Sequence, residues 1–457
     1  MSGKAIVRNK IIALCIISFL FINAIALMKE AMELEDAEQA YYSQWLRWGY
    51  DDQPPLYTWI QYFINQVIGV SKISFSLLRS IIFSGILIAL YHFSKNMLKN
   101  PAKSELIVFC LVLIPVFIDL TFRRLSHTAL LTLLVILSYQ IISRLLQEKS
   151  FRNYLILGLL GGVGILSKYN YILFLGALFV TIFVDKELRK VFLNKYILLS
   201  ILVCAILVTP HFYWLLVSNS YFVELWDSVG VKMESDRGKG SYMLSPFLSF
   251  LGAFLKLTAP LGVVMSILML LKKVKFKIQP LDWFSKMFFT QLGVLAFFFL
   301  VFNSAKIEVR WLLPLLLPFL VLLVKSMKLR RPEPTSKYIY YLFIGVLFVQ
   351  LIRTPMEKLL NIPSSVHFGF EVLGNKLQAD YSDEQWILPN VTYGGNIRLL
   401  QPEKIVVSSD DFSLPESIVI ANDAVEVILD TKPINKIPTD SLPNFGREGT
   451  TVYFVPN

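Results

Sequence analysis

The fold is decided between residues 33 and 60, which read Glu33-Leu-Glu-Asp-Ala-Glu-Gln-Ala-Tyr-Tyr-Ser-Gln-Trp-Leu-Arg-Trp-Gly-Tyr-Asp-Asp-Gln-Pro-Pro-Leu-Tyr-Thr-Trp-Ile60. Carboxylates and aromatic rings occur together here, directly after the first long apolar run. A solvated loop beside an interfacial aromatic belt would look similar. However, charge beside a membrane usually has a function. The adjacent pairs Glu35-Asp36 and Asp51-Asp52, the second running into the rigid Pro54-Pro55, favour a binding or catalytic loop.

The composition indicates a polytopic membrane protein. Of the 457 residues, 55% are hydrophobic and only 17% are charged, which is unlike a soluble domain. The net charge of +11 comes from short basic clusters between apolar runs, which is typical of cytoplasmic loops and argues against nucleic-acid binding. Cys15, Cys110 and Cys204 all lie in apolar runs, so neither a disulfide framework nor a thiolate metal site is expected.

Eleven apolar runs approach the length of about 20 residues that spans a bilayer. They lie near residues 10–28, 73–93, 104–121, 127–146, 151–167, 169–184, 195–217, 246–271, 283–302, 309–325 and 337–352. We interpret the first as an uncleaved span rather than a signal peptide. Basic clusters occupy every second connection, which predicts a cytoplasmic N-terminus and an external C-terminal region. The same charge pattern favours two spans, rather than one, over 151–184.

The chain is expected to divide at residue 352. A transmembrane domain over 1–352 would contain a first outer loop at 29–72 and a second large outer loop at 218–245, which either contacts the acceptor or is a plain connection. Residues 353–457 would form a small external α/β domain. Its predicted strands are 384–388, 404–407, 417–421, 424–429 and 451–455.

Two motifs resemble a known family. Glu35-Asp36, the aromatic stretch after it and Gly49-Tyr-Asp-Asp-Gln-Pro-Pro-Leu56 resemble, in order and spacing, the first outer loop of GT-C class membrane glycosyltransferases (glycosyltransferase family 39), which include aminoarabinose transferases of lipid A and protein O-mannosyltransferases. Leu166-Ser-Lys-Tyr169, after a glycine-rich span, is similar to a second family motif. Members usually carry Asp then Glu, so the reversed order leaves open which carboxylate is catalytic.

The resemblance covers about residues 10 to 330. It implies a mainly α, polytopic GT-C fold with about 11 transmembrane helices, interfacial helices in the first outer loop and the small external α/β domain. It also implies an inverting glycosyltransferase that uses a polyprenyl-phosphate-linked sugar.

The expected site combines acids and bases. A carboxylate would take the proton of the attacking hydroxyl while cations neutralise the departing phosphate. Asp36 is the predicted general base and Glu35 its neighbour. The residues predicted to bind the donor or its lipid phosphate are Lys168, Tyr169, Arg79, Arg310 and Asp52. An internal ion pair is an equally good interpretation of Arg79, and Lys168 could instead be a snorkelling anchor.

A divalent metal ion is a further expectation from the family, with Asp52, His127 and His211 as its ligands. The alternative for each imidazole is a structural, hydrogen-bonded role. The sequence thus suggests a cofactor without fixing its ligands.

The expected partners are a polyprenyl-phosphate-sugar donor, the lipid bilayer and an acceptor that is lipid A, a surface glycan or a protein. The expected location is the inner membrane of a bacterium, with the C-terminal domain in the periplasm. A transporter or flippase of a lipid-linked precursor, a surface-polysaccharide polymerase or ligase, and a non-catalytic scaffold are the alternatives.

Overall fold

The structure is a computed structural model of the 457-residue chain. It describes residues 3–33, 35–217, 221–233, 244–277, 279–329, 332–414, 418, 420, 421, 423–430, 438–443, 445 and 451–456.

Helices dominate the described residues. They are α1 Gly3–Met28, α2 Glu35–Tyr42, α3 Leu56–Ile68, α4 Lys72–Leu98, α5 Pro101–Phe109, α6 Pro115–Arg123, α7 His127–Gln147, α8 Phe151–Ser167, α9 Tyr171–Val184, α10 Lys186–Phe192, α11 Ile197–Val217, α12 Tyr221–Lys232, α13 Leu244–Leu270, α14 Trp283–Val301, α15 Val309–Leu316, α16 Phe319–Ser326, α17 Pro332–Leu359, α18 Phe370–Asp380 and α19 Val391–Leu400. Short 3₁₀ helices cover Cys110–Leu113 and Ser365–His367.

The predicted spans all correspond to helices. Within the described residues, seven helices are long and apolar enough to cross a membrane, or nine if two bent pairs each count as one span. The shorter apolar helices α8 and α9 account for the two remaining predicted runs. The expectation of a mainly α polytopic protein is therefore confirmed.

The third predicted span is bent rather than straight. Its two halves, Pro101–Leu113 and Pro115–Arg123, meet at an angle of 75°. Pro115 lacks a backbone N–H and disfavours helical geometry in the residue before it, and Ile114 accordingly leaves the helix at φ −115 and ψ 76. The bend places α6 beside the start of α7.

The glycine-rich span α8 packs closely against α11. A Cβ on Gly158 would lie 2.6 Å from the backbone oxygen of Ser200, and one on Gly162 would lie 2.7 Å from Cδ1 of Leu207. Small residues let membrane helices approach closely where lipid provides no hydrophobic driving force between them. The crowded glycines therefore belong to a helix interface, consistent with the prediction that 151–184 contains two helices.

The C-terminal region contains a five-stranded mixed sheet. Its strands are β3 Trp386–Leu388, β4 Val406–Ser408, β5 Val425–Leu429, β6 Asp440–Leu442 and β7 Val452–Pro456. β1 Val274–Phe276 and β2 Met327–Leu329 form a separate antiparallel pair. The order is β4-β3-β5-β7-β6, parallel from β4 to β5 and antiparallel from β5 to β6. Four predicted strands coincide with β3, β4, β5 and β7. The described residues of the fifth, 418, 420 and 421, are not in a strand.

The first outer loop and the sheet region share one hydrophobic core. Tyr41, Tyr42 and Tyr50 of the loop cluster with Trp386 and Phe454 of the sheet. The boundary predicted at residue 352 lies inside α17, which continues to Leu359, so the sheet region begins after that residue. The loop before the second span is thus buried under a domain more than 300 residues further along the chain.

Candidate active site

The site is built on α2. Three acidic residues, Glu35, Asp36 and Glu38, occupy its first turn, where they favour the positive end of the helix dipole. The helix lies directly against α19, because a Cβ at Gly395 would collide with the carbonyl oxygen of Ala37. Close packing against the sheet region therefore fixes how α2 presents its carboxylates.

Both oxygens of Glu35 accept hydrogen bonds. Oε2 accepts from the backbone N–H of Ser126 at 2.7 Å, and Oε1 accepts from the Thr128 hydroxyl at 2.8 Å and from Lys168 Nζ at 3.1 Å. Burial alone would raise the pKa of Glu35, but the charges of Lys168 and Arg310 and the bond from Ser126 hold this pKa well below its usual range. The hydrogen bonds to both of its oxygens fix the position of the Glu35 carboxylate.

Lys168 follows the last residue of α8 and reaches the same point. Its Nζ donates to the Thr128 hydroxyl at 2.9 Å as well as to Glu35. An ammonium group carries three N–H donors, and these two bonds use two of them. Among the residues that the structure describes the third has no acceptor, so an anion can bind it without breaking either bond. The hydroxyl oxygen of Tyr169, the next residue in the chain, lies 3.1 Å from His211 Nε2.

Asp36 lies on another side of α2 and pairs with Arg79 of α4. The Arg79 side chain is 1% exposed, so the ion pair is enclosed. Of the two interpretations of Arg79, the described contacts show the internal ion pair. Its contact with a lipid phosphate stays a prediction.

The second acidic pair, Asp51-Asp52, separates. Asp51 adopts a left-handed backbone with φ 39 and accepts hydrogen bonds from the Tyr42 hydroxyl and, at 3.2 Å, from the backbone N–H of Ser413. Asp52 instead pairs with Lys232 at 2.6 Å. One carboxylate therefore contacts the sheet region and the other contacts the second outer segment.

The second outer segment closes one side of the site. Lys232 is the last residue of α12, and the charges of Asp52 and Glu38 raise its pKa despite the opposing effect of burial. Glu234, Asp236 and Arg237, which belong to the predicted loop 218–245, lie outside the described residues. The described part of this segment contacts the first outer loop.

Glu38 is a site residue that the sequence reasoning did not single out. Burial raises the pKa of Glu38 to about 7, with Lys232 lowering it and Asp52 and Glu35 raising it. Its spacing of three residues from Glu35 puts both on one face of α2, a signal that was present in the sequence. Arg310, at the start of α15, adds a positive charge that lowers the pKa of both carboxylates.

A second missed group joins the first outer loop to the sheet region. Arg47 pairs with Asp411 at 3.0 Å and donates to the Ser413 carbonyl oxygen at 2.8 Å, while the Tyr41 hydroxyl donates to Asp411 at 3.0 Å. Burial by itself raises the pKa of Asp411, but Arg47 holds it below its usual range. Nothing in the sequence marks this contact, because its partners are more than 360 residues apart.

The three predicted metal ligands do not come together. Nε2 of His127 lies 2.7 Å from Gln39 Nε2, and Nδ1 of His127 lies 3.2 Å from the Ser167 carbonyl oxygen. His211 lies 2.6 Å from the Trp48 carbonyl oxygen through Nδ1. In the described part of the chain no group of three His, Cys, Asp or Glu side chains is arranged to hold a metal. The described structure therefore does not support Asp52, His127 and His211 as a joint metal site. Dependence on a metal stays a prediction.

The whole architecture matches a known fold. ArnT from Cupriavidus metallidurans bound to undecaprenyl phosphate superposes with a TM-score of 0.67 at 12% identity, covering 99% of this chain and 98% of that one. The apo state of the same protein gives 0.55 over the same coverage. The chain therefore has the GT-C fold of polytopic membrane glycosyltransferases.

Sequence relatives agree with this class. The dolichyl-phosphate-mannose-protein mannosyltransferase family matches residues 52–214. The lipopolysaccharide core galacturonosyltransferase RgtA of Rhizobium johnstonii is 26% identical over 402 residues, which is 84% of this chain and 78% of RgtA. RgtB of the same organism is 31% identical over 186 residues, 40% of this chain and 37% of RgtB. In both fold and sequence the chain is thus similar to membrane glycosyltransferases of the GT-C class.

Proposed function

We propose that this protein transfers one sugar, with inversion, from a polyprenyl-phosphate carrier to a glycan acceptor of the bacterial envelope, at the periplasmic face of the inner membrane. The observation that carries this proposal is the enclosed cluster of Glu35, Lys168 and Thr128, with Arg310 near enough to affect Glu35. Carboxylates and cations from distant segments meet there, as a glycosyl transfer from a phosphate requires.

Acidic and basic side chains have different tasks in the proposed reaction. The acceptor oxygen forms a bond to the anomeric carbon while the bond from that carbon to the phosphate oxygen breaks. The proton of the acceptor hydroxyl passes to a carboxylate, and the departing polyprenyl phosphate gains one negative charge. Cations preorganised in a site shielded from water stabilise that charge more than solvent would.

Lys168 and Arg310 are the cations assigned to the phosphate. Lys168 is oriented by Glu35 and Thr128 and has one N–H donor left for the leaving group. Asp52, paired with Lys232, and Tyr169 are assigned to positioning the donor. Arg79 supports the site through its ion pair with Asp36.

A carboxylate of α2 is assigned to the proton. The sequence nominates Asp36, with Glu35 as its neighbour. Both are held by basic side chains in the described structure, so their availability as a base depends on movement when substrate binds.

The nature of the acceptor is proposed from the relatives. RgtA and RgtB are described as transferases of the lipopolysaccharide core, and ArnT was solved with undecaprenyl phosphate. A lipopolysaccharide or related surface glycan is therefore the favoured acceptor, ahead of lipid A itself or a protein.

Intact mass spectrometry of lipopolysaccharide, surface glycans and envelope proteins tests the proposal. A strain lacking the protein is compared with the same strain carrying wild type, Lys168→Met or Lys186→Met, the last being an exposed lysine at the start of α10. We expect a single-sugar mass to be lost in the deletion strain, and restored by wild type and Lys186→Met but not by Lys168→Met.

The alternatives give different masses. A polymerase or ligase would change the glycan by whole repeating units. A scaffold would leave no acceptor lacking one sugar. A flippase of the donor would leave that acceptor, but the purified flippase would not transfer sugar from donor to acceptor in detergent solution. Each of these results contradicts the proposal.

A further inference from the structure

Glu38 differs from the other carboxylates of α2 in its contacts. Its side chain is partly exposed, yet its Oε2 is enclosed and has no hydrogen-bond partner among the residues that the structure describes. An enclosed carboxylate oxygen without a donor is unfavourable in a folded protein. Such an atom is best explained by a group that arrives with the substrate.

The neighbouring carboxylates are occupied. Both oxygens of Glu35 accept hydrogen bonds, and Asp36 pairs with a buried arginine. Asp51 binds Tyr42 and the sheet region, and Asp52 binds a lysine. Each of these carboxylates already accepts a hydrogen bond or an ion pair, whereas Glu38 Oε2 has no such partner among the described residues.

One further carboxylate of this loop has an enclosed oxygen without a partner. Glu33 Oε2 has no hydrogen-bond partner in the described part of the chain, but its other oxygen lies 3.8 Å from Arg124. Its charge acts on Lys29, at the end of the first span. Glu33 therefore interacts with Arg124 and Lys29, which are not among the groups that act on Glu38.

Glu38 lies among the charges of the candidate site. Four charged groups from different elements influence the pKa of Glu38: Glu35 of α2, Asp52 before Pro54, Lys232 of α12 and Arg310 of α15. Glu38 in turn influences the pKa of Tyr42. Burial is the largest influence and raises the pKa of Glu38 to about 7. A general base works best when its pKa is near the working pH.

We propose that Glu38 is the proton acceptor of the transfer reaction and that its enclosed Oε2 receives the hydrogen bond of the attacking hydroxyl. This inference rests on the proposed function. The acceptor oxygen bonds to the anomeric carbon, its proton moves to Glu38 Oε2, and the electron pair of the breaking carbon–oxygen bond leaves with the polyprenyl phosphate. Glu35 then acts as a positioning residue for Lys168, and Asp36 as the partner that holds Arg79.

The test is the pH dependence of transfer in membrane vesicles. Vesicles from the deletion strain supply the endogenous lipid-linked donor and the acceptor that lacks the sugar, and purified wild type, Glu38→Gln, Asp36→Asn or Glu187→Gln is added in detergent-depleted form. Glu187 is an exposed glutamate of α10 paired with Lys190, so its substitution controls for loss of a carboxylate elsewhere. Rates are measured from about pH 5.5 to pH 8.5, a range that brackets the pKa expected of a working base.

We expect the wild-type rate to rise with pH through about 7, because only the ionised carboxylate accepts a proton. Glu38→Gln should lower kcat by about 100-fold or more, leave the KM for acceptor nearly unchanged and lose the pH dependence of the residual rate. Glu187→Gln should behave as wild type. If Glu38→Gln does not fold, Glu38→Asp replaces it, with a lower rate and a shifted inflection expected.

Two results separate this inference from the function on which it rests. If wild type transfers the sugar and Glu38→Gln, or a folded Glu38→Asp, keeps both the rate and the inflection of wild type, the inference is wrong and the function stands. Loss of the pH dependence in Asp36→Asn alone would likewise assign the proton to Asp36. If wild type transfers nothing to the acceptor, the proposed function fails and this inference fails with it.

Discussion

Two adjacent carboxylates, Glu35 and Asp36, have different partners because they sit on a helix. Consecutive residues of an α-helix point about 100° apart, so Glu35 faces Thr128 and Lys168 while Asp36 faces Arg79. Glu38, one turn further on, returns to the side of Glu35. The acidic pair in the sequence is thus not a pair in space, and the question of which carboxylate reacts concerns three residues rather than two.

Substitutions in the Glu35–Lys168 ion pair should show whether Lys168 is needed for sugar transfer as well as for stability. Lys168→Met leaves a buried carboxylate unpaired and should reduce the free energy of unfolding by about 3–5 kcal/mol, as well as abolish transfer. The double variant Lys168→Met/Glu35→Gln should recover most of the stability but not the transfer. Thermal unfolding in detergent and the mass assay check this. A double variant with normal transfer would exclude Lys168 as a phosphate ligand.

The ionised carboxylate of Glu38 should reduce the stability of the folded protein at high pH. Its pKa is raised from 4.5 to about 7 in the folded protein, so its contribution to stability is fully present below about pH 4.5 and is lost as pH rises through about 7. At pH 8 the free energy of unfolding of the wild type should therefore be lower than that of Glu38→Gln by about 1–3 kcal/mol. Melting curves at pH 5 and pH 8 measure it, and a variant that is less stable than wild type at pH 8 would indicate a structural role.

Among the elements, α2 and α19 depend on each other. Gly395 allows the backbone of α19 to touch α2 at Ala37, and Arg398 of α19 donates to Ser43, which follows α2. The first outer loop is consequently supported by contacts with the C-terminal region.

Gly395→Val should separate these two helices. We expect loss of transfer and greater cleavage by protease within the C-terminal region, while membrane insertion is unchanged because no span is altered. Gly369→Ala is the matched control, since nothing lies within 4 Å of a Cβ there. Limited proteolysis of vesicles and the transfer assay follow the two effects. Full transfer by Gly395→Val would show that the contact is dispensable.

At the scale of the whole molecule, the site forms where the ends of several spans meet. Glu35 follows α1, Thr128 begins α7 and Lys168 follows α8, and the alternation of basic loops predicts that all three ends face the periplasm. The sheet region covers the same side, because its residues contact the first outer loop. The site and the C-terminal region are therefore predicted to lie on the same side of the membrane.

Cysteine labelling tests this orientation. In a variant without Cys15, Cys110 and Cys204, a single Asp423→Cys should react with an impermeant maleimide in intact spheroplasts, whereas Lys186→Cys should react only after lysis. Both positions are exposed. Labelling in the reverse order would place the site in the cytoplasm and contradict the use of a periplasmic acceptor.

The sequence by itself predicted the positions of the apolar helices and of the strands β3, β4, β5 and β7. These follow from local properties: the length of an apolar run, its flanking charges and the punctuation of short strands. Glu35 and Lys168 could be predicted as site residues because their neighbours in the chain form recognisable motifs. Only the tertiary structure decided that Asp36 binds Arg79, that Asp51 and Asp52 part, that the predicted metal ligands stay separate, and that Asp411 and Arg398 support the first outer loop. Those contacts join residues from about 40 to more than 360 positions apart, and which of them meet depends on how helices pack and bend, which no local pattern records.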